Sequence, residues 1–307
     1  GGAGAMIHEV LLALIGHVGG LVVETDEGFA LGAGADFLTE AERRLVGQIV
    51  RAGYYCKRLG DFAAAARRRH FRAAAGSRVE SRAEAPAPEA EAPAAGKGPP
   101  PPLGHYAYGV ARRVEEVLDG YRGRVADVEA ELLEEPSLPL AHLASAIEDD
   151  RRLLHVLFNL VEKVQARRLT GGGLLDFLWA SAASQAGAGA VYECLWSVLA
   201  SAGQVLANQL VAWMVYGRLV DPDGEFFIAR AWERPGGGGP AAALPRAAAQ
   251  CAEVEDLSAE VDAAAAQREW QGQFVLHAEA VPQFVVSLDT ARKVLFVGKA
   301  VRVLLRS

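Results

Sequence analysis

What the chain lacks narrows it first. Only three cysteines occur in 307 residues, Cys56, Cys194 and Cys251, far apart and odd in number. They make a poor disulfide framework and match no zinc-ligand spacing, so a reducing, cytosolic setting fits better. A basic surplus is missing: the formal net charge is −7, against the positive balance of a general nucleic-acid binder. Aromatic residues make up only 7%. His8, His17, His70, His105, His142, His155 and His277 are scattered, with no His-x-x-x-His pair and none beside a cysteine at zinc spacing. No Gly-x-Ser-x-Gly elbow is present. Gly171-Gly172-Gly173 opens a helix but lacks the preceding strand and following Lys-Ser/Thr of a phosphate loop; Gly16-His17-Val18-Gly19-Gly20 fails the same test. The expectation is no catalytic residue, no cofactor, no metal and no enzyme. No strand pattern alternates with the helices and no fixed-period repeat is evident, which disfavours α/β and solenoid folds. Residues 6–15 have no basic stretch before them and contain Glu9, which argues against a signal peptide.

What is present is helical periodicity in a chain that is 51% hydrophobic. Alanine, the strongest helix former, is abundant. Ile7, Val10, Leu11, Leu14 and Ile15 form a short apolar face ended by Gly16. Residues 21–31 are irregular and suit a small hairpin around Glu27-Gly28. Thr39 and Glu42 carry a capping-box signature. The helix they open has the stripe Leu45, Ile49, Ala52, Cys56, Leu59, Ala63 and Ala66. Residues 105–133 place Val110, Val114, Val117, Tyr121, Val125, Val128 and Leu132 on one face. Residues 140–168 read as one helix, with Leu143, Ile147, Leu154, Leu157, Val161 and Val164 at helical period. After the Gly171-Gly172-Gly173 punctuation come helices over 174–183 and 190–217, the latter with Leu195, Leu199, Ala202, Leu206, Leu210, Trp213 and Gly217 on one face. A last helix over 290–305 follows Asp289 as its cap.

Residues 194–217 carry no charged side chain and are long enough to span a bilayer. They also contain Ser197, Ser201, Gln204, Asn208 and Gln209, so a buried bundle helix is the better reading. The fold expected is all-α, an elongated set of stacked helical bundles with two disordered insertions. Residues 1–5 read as non-native or leader residues, 6–74 as N-terminal helices, and 75–102 as a disordered Ala/Pro/Glu-rich insertion. Residues 103–230 form the main bundle, 231–270 a flexible Gly/Ala/Glu-rich linker, and 271–307 the truncated start of a following bundle.

Other features have plain readings. Glu148-Asp149-Asp150 before Arg151-Arg152 is a solvated face with local ion pairs. Arg67-Arg68-Arg69-His70 with Arg72, the densest basic run, reads as a helix end rather than an acidic-partner site. Trp179, Trp196 and Trp213 are either core anchors or a partner-binding stripe, with core favoured for Trp213.

The most informative stretch is 210–228. An apolar helix carrying Trp213 and Gly217 enters the turn Asp221-Pro222-Asp223-Gly224, then Glu225-Phe226-Phe227-Ile228. Proline fixes φ and glycine accepts positive φ, so the turn is sharp, and the Phe-Phe-Ile run needs a buried site directly after it. This resembles the N-terminal domain of the gamma-tubulin complex components, where Trp-x-x-x-Gly-x-Leu-x-Asp leads through a short loop into Glu-Phe-Phe-Ile. Trp213, Gly217, Leu219, Asp221, Glu225, Phe226, Phe227 and Ile228 match position by position. Residues 6–14 resemble the opening of one member of that family. Residues 291–299, with Lys293, Leu295 and Gly298, resemble its Ala-x-Lys-Ile-Leu-x-x-Gly-Lys helix. The three matches keep family order.

The resemblance implies a helical-bundle scaffold. Its partners would be other gamma-tubulin complex components, packed laterally through this half. Gamma-tubulin itself would bind a C-terminal domain absent from this chain. No nucleic acid and no membrane insertion are expected, and the location would be the cytoplasm at a microtubule-organising centre or spindle pole. The alternative is an unrelated helical adaptor or tether. A scaffold predicts apolar helix faces beyond those one core needs; an enzyme predicts a polar pocket with converging titratable groups.

Overall fold

The computed structural model describes residues 2–25, 28–32, 35, 38–80, 103–135, 138–231 and 273–305. Of the expected 75–102 insertion, residues 81–102 lie outside them, as do residues 232–270 of the expected 231–270 linker, Cys251 included, whereas residues 75–80 are helical. The all-α reading holds, with two small antiparallel sheets among the described residues. Two compact units form: Gly1–Leu169 with Phe177–Ala202, and Thr170–Asp176 with Gly203–Ser307.

The first unit opens with α1 (Gly2–Leu14), whose first turn includes the residues read as a leader. The expected hairpin follows as β1 (Val22–Thr25) and β2 (Gly28–Leu31). The Glu9 carboxylate accepts the Leu21 N–H at 2.6 Å and fixes the entry to β1. Next is α2 (Glu40–Glu80), started by the capping box. Thr39 N–H donates to Glu42 Oε2 at 2.8 Å and Glu42 N–H returns to Thr39 Oγ1 at 3.3 Å. Ile49, Ala52, Cys56, Leu59, Ala63 and Ala66 are buried as the stripe predicts. Helix α2 outlasts the expected end near Ala75. Ala73, Ala74, Ala75 and Arg78 favour helix, and Gly76 alone costs about 1 kcal/mol. The basic run is therefore inside the helix, where helix-end stabilisation does not apply. Arg67 pairs with Glu115 at 2.9 Å, and the His70 ring stacks on Tyr108 at 4.0 Å.

Helix α1 crosses α2 at Gly53, where a Cβ would sit 1.7 Å from the Ala13 carbonyl oxygen. Only glycine permits that backbone approach. Helix α3 (His105–Glu134) buries the expected face, except that Leu118 takes the core place and Val117 is half-buried. Tyr121 O–H donates to the Leu14 carbonyl at 3.0 Å, and burial pushes its phenol well above the ordinary value.

Residues 140–168 are two helices, not one: α4 (Leu140–Ala146) and α5 (Glu148–Ala166), broken at Ile147 with φ −103° and ψ 1°. The acidic triplet Glu148-Asp149-Asp150 suits a new helix N-terminus, where the dipole favours negative charge. The core face survives the break, since Leu143, Ile147, Leu154, Leu157, Val161 and Val164 are all buried. Asp150 forms a bidentate pair with Arg124 of α3, and Arg58 of α2 bonds Glu162 of α5 at 2.6 Å.

Helix α6 (Gly171–Ser184) starts at the glycine triplet, and α7 (Ala190–Tyr216) follows. In the first unit α7 meets α3 at Gly109, where a Cβ would lie 2.8 Å from the Ser201 carbonyl oxygen. Ser201 Oγ donates to the Gly109 carbonyl at 2.8 Å, and Arg113 Nε donates to Ser197 Oγ at 2.7 Å. Helix α7, with mean hydropathy 1.4 over its most apolar window, is the one described helix long and apolar enough to cross a membrane. Cys56 and Cys194 are free and buried, and desolvation pushes both thiols up.

The second unit holds the start of α6 and the end of α7. It adds β3 (Ile228–Arg230) paired antiparallel with β4 (Phe274–Leu276), a 3-10 turn (Ala278–Ala280) and α8 (Leu288–Leu304). The cap of α8 is Ser287, whose side chain accepts the Thr290 N–H; Asp289, expected as cap, lies in the first turn. Serine wins because its short hydroxyl reaches that N–H directly.

Two outcomes are expected. Gly53→Val forces α1 off α2 and costs about 3 kcal/mol, the upper end of overpacking penalties, read by thermal or urea unfolding. Hydrogen bonds from Arg151, then Arg152, hold the Glu148 carboxyl down at about 2, below its usual 4.5. Its stabilising effect is therefore full above the ordinary value and disappears as pH falls through about 2. Glu148→Gln should lower stability at neutral pH, with the gap to the parent closing in strong acid.

Candidate functional site

The residues singled out by motif converge in the second unit. Trp213 is fully buried, and its Nε1 donates to the Val294 carbonyl of α8 at 2.9 Å. The indole fills the place of a side chain on Gly298: a Cβ there would lie 2.0 Å from Nε1. Phe274 of β4 meets the indole edge-on at a centroid distance of 4.9 Å. Four residues along both helices the pattern repeats. Gly217 has φ +58°, and a Cβ there would sit 2.9 Å from Arg302 Cα. The equal offsets mean that α7 and α8 run parallel here. Gly217 also closes α7, its N–H donating to the Trp213 carbonyl at 3.1 Å and the Arg218 N–H to the Ala212 carbonyl at 2.9 Å. A left-handed residue at a helix end favours glycine. Arg302 Nη1 donates to the Gly217 carbonyl at 3.3 Å, and its guanidinium lies 5.1 Å above the Phe274 ring.

Asp221 organises the turn. One carboxylate oxygen accepts the Glu225 N–H at 3.0 Å and the other the Phe226 N–H at 2.8 Å. Gln209 Nε2 adds a 3.4 Å contact to the carboxylate and another to the Val220 carbonyl. Both oxygens are engaged, so an amide cannot replace the carboxylate without turning one acceptor into a donor. Gly224, at φ +68°, completes the reversal.

The chain then dives inward. Glu225, Phe226, Phe227 and Ile228 are 7%, 2%, 1% and 0% exposed. Glu225 Oε1 accepts the Gly171 N–H at 3.3 Å, placing a carboxylate at the start of α6, where the dipole favours it. A Cβ on Gly171 would lie 2.5 Å from the Glu225 carbonyl oxygen, and one on Gly172 would lie 2.1 Å from that of Ala280. The glycine triplet is thus more than a stop and restart: it admits two neighbouring backbones. Asp176, one turn on, accepts the Gln283 and Phe284 N–H groups, each at 3.3 Å. The Phe227 carbonyl accepts the His277 N–H at 2.8 Å and extends the β3–β4 ladder.

Sequence reasoning found Trp213, Gly217, Asp221, Glu225, Phe226, Phe227, Ile228 and Gly298, and the structure brings them together. Leu219 and Leu295 are half-buried, and Lys293 faces solvent. Gln209, Asp176, Arg302 and the Gly171-Gly172 pair were missed. The only signal for them was unusual residue type, polar on an apolar helix or glycine tripled. Burial lowers the Lys299 amine below its usual value. Among the described residues no three His, Cys, Asp or Glu side chains cluster as a metal site. Trp179 and Trp196 are 42% and 43% exposed, in contrast to Trp213.

Comparison with known proteins gives one family. The profile described as gamma tubulin complex component N-terminal matches residues 7–307. The gamma-tubulin complex component 4 homolog of Medicago truncatula is 28% identical, covering 97% of this chain and 38% of the relative. Gamma-tubulin complex component 4 of Arabidopsis thaliana is also 28% identical, over 97% and 40%. The Homo sapiens component 4 is 25% identical, over 97% and 43%. The chain thus spans about two fifths of the length of the curated relatives it matches.

Two substitutions probe the site. Gly298→Val should cost about 3 kcal/mol or more by colliding with the indole. Asp221→Asn should cost about 1.5–3 kcal/mol and Asp221→Ala more, because the amide still accepts one of the two N–H groups whereas alanine accepts neither. Both are read from denaturant midpoints.

Proposed function

The chain belongs to the gamma-tubulin complex component family, by that family's N-terminal region, and on this premise we propose that it is a non-enzymatic scaffold for lateral assembly of the gamma-tubulin complex. Side-by-side packing with other components would fix the spacing and pitch of the gamma-tubulins they carry. That spacing is a template for new protofilaments, and so for microtubule nucleation. Gamma-tubulin itself is held by a different region of the longer protein. The place of action is the cytoplasm, at microtubule-organising centres and spindle poles.

The observation that carries this reading is the family match across nearly the whole chain. The surface supports it. Val211 and Val215 on α7 are 50% and 57% exposed, and Phe296 on α8 is 63% exposed. These are apolar helix positions beyond what the cores use, as a scaffold needs. We read α7 as a bundle helix rather than a membrane span, because Ser197, Ser201 and Gln209 are spent on hydrogen bonds within the fold. The net charge of −7 speaks against nucleic acid as a partner.

The test is capture with this chain as bait. The prey are gamma-tubulin and the N-terminal regions of the other complex components. Retention of a component without gamma-tubulin is the expected result. Retention of gamma-tubulin alone would overturn the division of labour.

A further inference from the structure

Adjacent arginines occur at five places in the chain, and four of these runs hold ion pairs. Arg44 pairs with Glu40, Arg67 with Glu115, Arg113 with Glu116, and Arg151 and Arg152 both with Glu148. The fifth run, Arg167-Arg168 at the end of α5, is exposed, and among the described residues neither guanidinium has a salt bridge. Arg168 also holds an unfavourable backbone. Its N–H donates to the Gln165 carbonyl at 3.2 Å, and the Leu169 N–H donates to the Val164 carbonyl at 3.1 Å. This is a Schellman ending, whose left-handed position is ordinarily glycine. Arg168 takes it at φ +53°, the one non-glycine residue with positive φ among the described residues. Stability alone favours glycine there, so the side chain answers to something other than the fold.

Two residues on, Thr170 is exposed and stands just before α6, its carbonyl accepting the Leu174 N–H at 3.2 Å. A threonine at that position normally caps the helix with its hydroxyl. Here the Glu225 carboxylate serves the helix start instead, accepting the Gly171 N–H at 3.3 Å. The Thr170 hydroxyl makes no hydrogen bond among the described residues. Of the five arginine runs, only Arg167-Arg168 has serine or threonine two positions after it. Guanidinium groups three and two residues before a hydroxyl are what the acidic substrate groove of an arginine-directed protein kinase reads, through paired hydrogen bonds to carboxylates.

We propose that Thr170 is a phosphorylation site for an arginine-directed kinase, and that the phosphate loosens Glu225 from the start of α6. The γ-phosphoryl group of ATP passes to Thr170 Oγ1. A P–O bond to that oxygen forms, the bond from the γ-phosphorus to the bridging oxygen breaks, ADP leaves, and the hydroxyl proton goes to the base of the kinase. Gln165, Ala166, Arg167 and Arg168 are exposed and Leu169 is half-buried, so fraying the last turn of α5 presents the segment while uncovering little core. The phosphate brings a charge of about −1.5 to −2. It stands one residue from the N–H that Glu225 holds, and Glu225, 7% exposed, is little screened by salt. Phosphate is itself a ligand for a helix N-terminus. Repulsion and competition therefore act together on Glu225. That residue opens the buried Phe226-Phe227-Ile228 run, so the loosening reaches the core of the second unit.

The test is incubation of the chain with ATP and a purified arginine-directed kinase, the modified residue being located by mass spectrometry. Phosphate should appear on Thr170. Arg168→Gly relieves the left-handed strain and so keeps the fold, yet it should slow incorporation roughly tenfold. The phosphorylated chain should melt at a lower temperature than the unmodified chain. Glu225→Gln removes the repelled charge and should narrow that difference. Thr170 left unmodified, incorporation indifferent to Arg168→Gly, a phosphorylated chain as stable as its parent, or a difference unchanged by Glu225→Gln would each overturn the proposal.

Discussion

The Trp213 indole occupies the space that a side chain on residue 298 would need. The rest of the second unit is arranged around that exchange. Because the indole enters α8 at Gly298, its N–H reaches a helix carbonyl, and α7 and α8 come close enough for Gly217 to touch Arg302. That closeness fixes where α7 must end, and so where the Asp221 turn begins. The turn aims Phe226, Phe227 and Ile228 inward and delivers Glu225 to the start of α6. One large residue and one missing side chain thus set a chain of dependent positions.

The first unit uses the same economy. Gly53 admits Ala13, and Gly109 admits Ser201 and Ala202. Polar groups then finish what the close approach begins. Tyr121 bonds the Leu14 carbonyl, Ser201 bonds the Gly109 carbonyl, and Arg124 grips Asp150. These bonds explain why an apolar helix such as α7 carries serines: they answer carbonyls and guanidinium groups brought near by glycine.

Much of this was legible in the sequence because it follows from local pattern. The α2 stripe, the Thr39–Glu42 box, the hairpin near Gly28 and the face of α3 follow from periodicity and capping. Trp213, Gly217 and the acidic turn were legible as a unit because turn chemistry and helical spacing adjoin there. The ordered motifs pointed to a family that the match over residues 7–307 bears out. An unrelated helical adaptor does not survive that match. Three things were not legible. The break at Ile147 leaves the apolar period intact, so periodicity cannot see it. The β3–β4 pairing joins residues far apart in sequence, with Ile228 opposite Leu276. The Gly171-Gly172 pair looks like punctuation until the backbones of Glu225 and Ala280 are placed against it.

The parallel contact of α7 with α8 has a mechanical consequence. Side chains are the soft part of a helix interface, because their torsions adjust when helices shift. At Gly217 and Gly298 that cushion is missing: helix backbone meets helix backbone, or a rigid ring. Interiors packed this way are scarcely compressible and transmit strain. A displacement imposed on α8 therefore arrives at α7 almost undiminished, and the pair behaves as a stiff strut rather than a hinge.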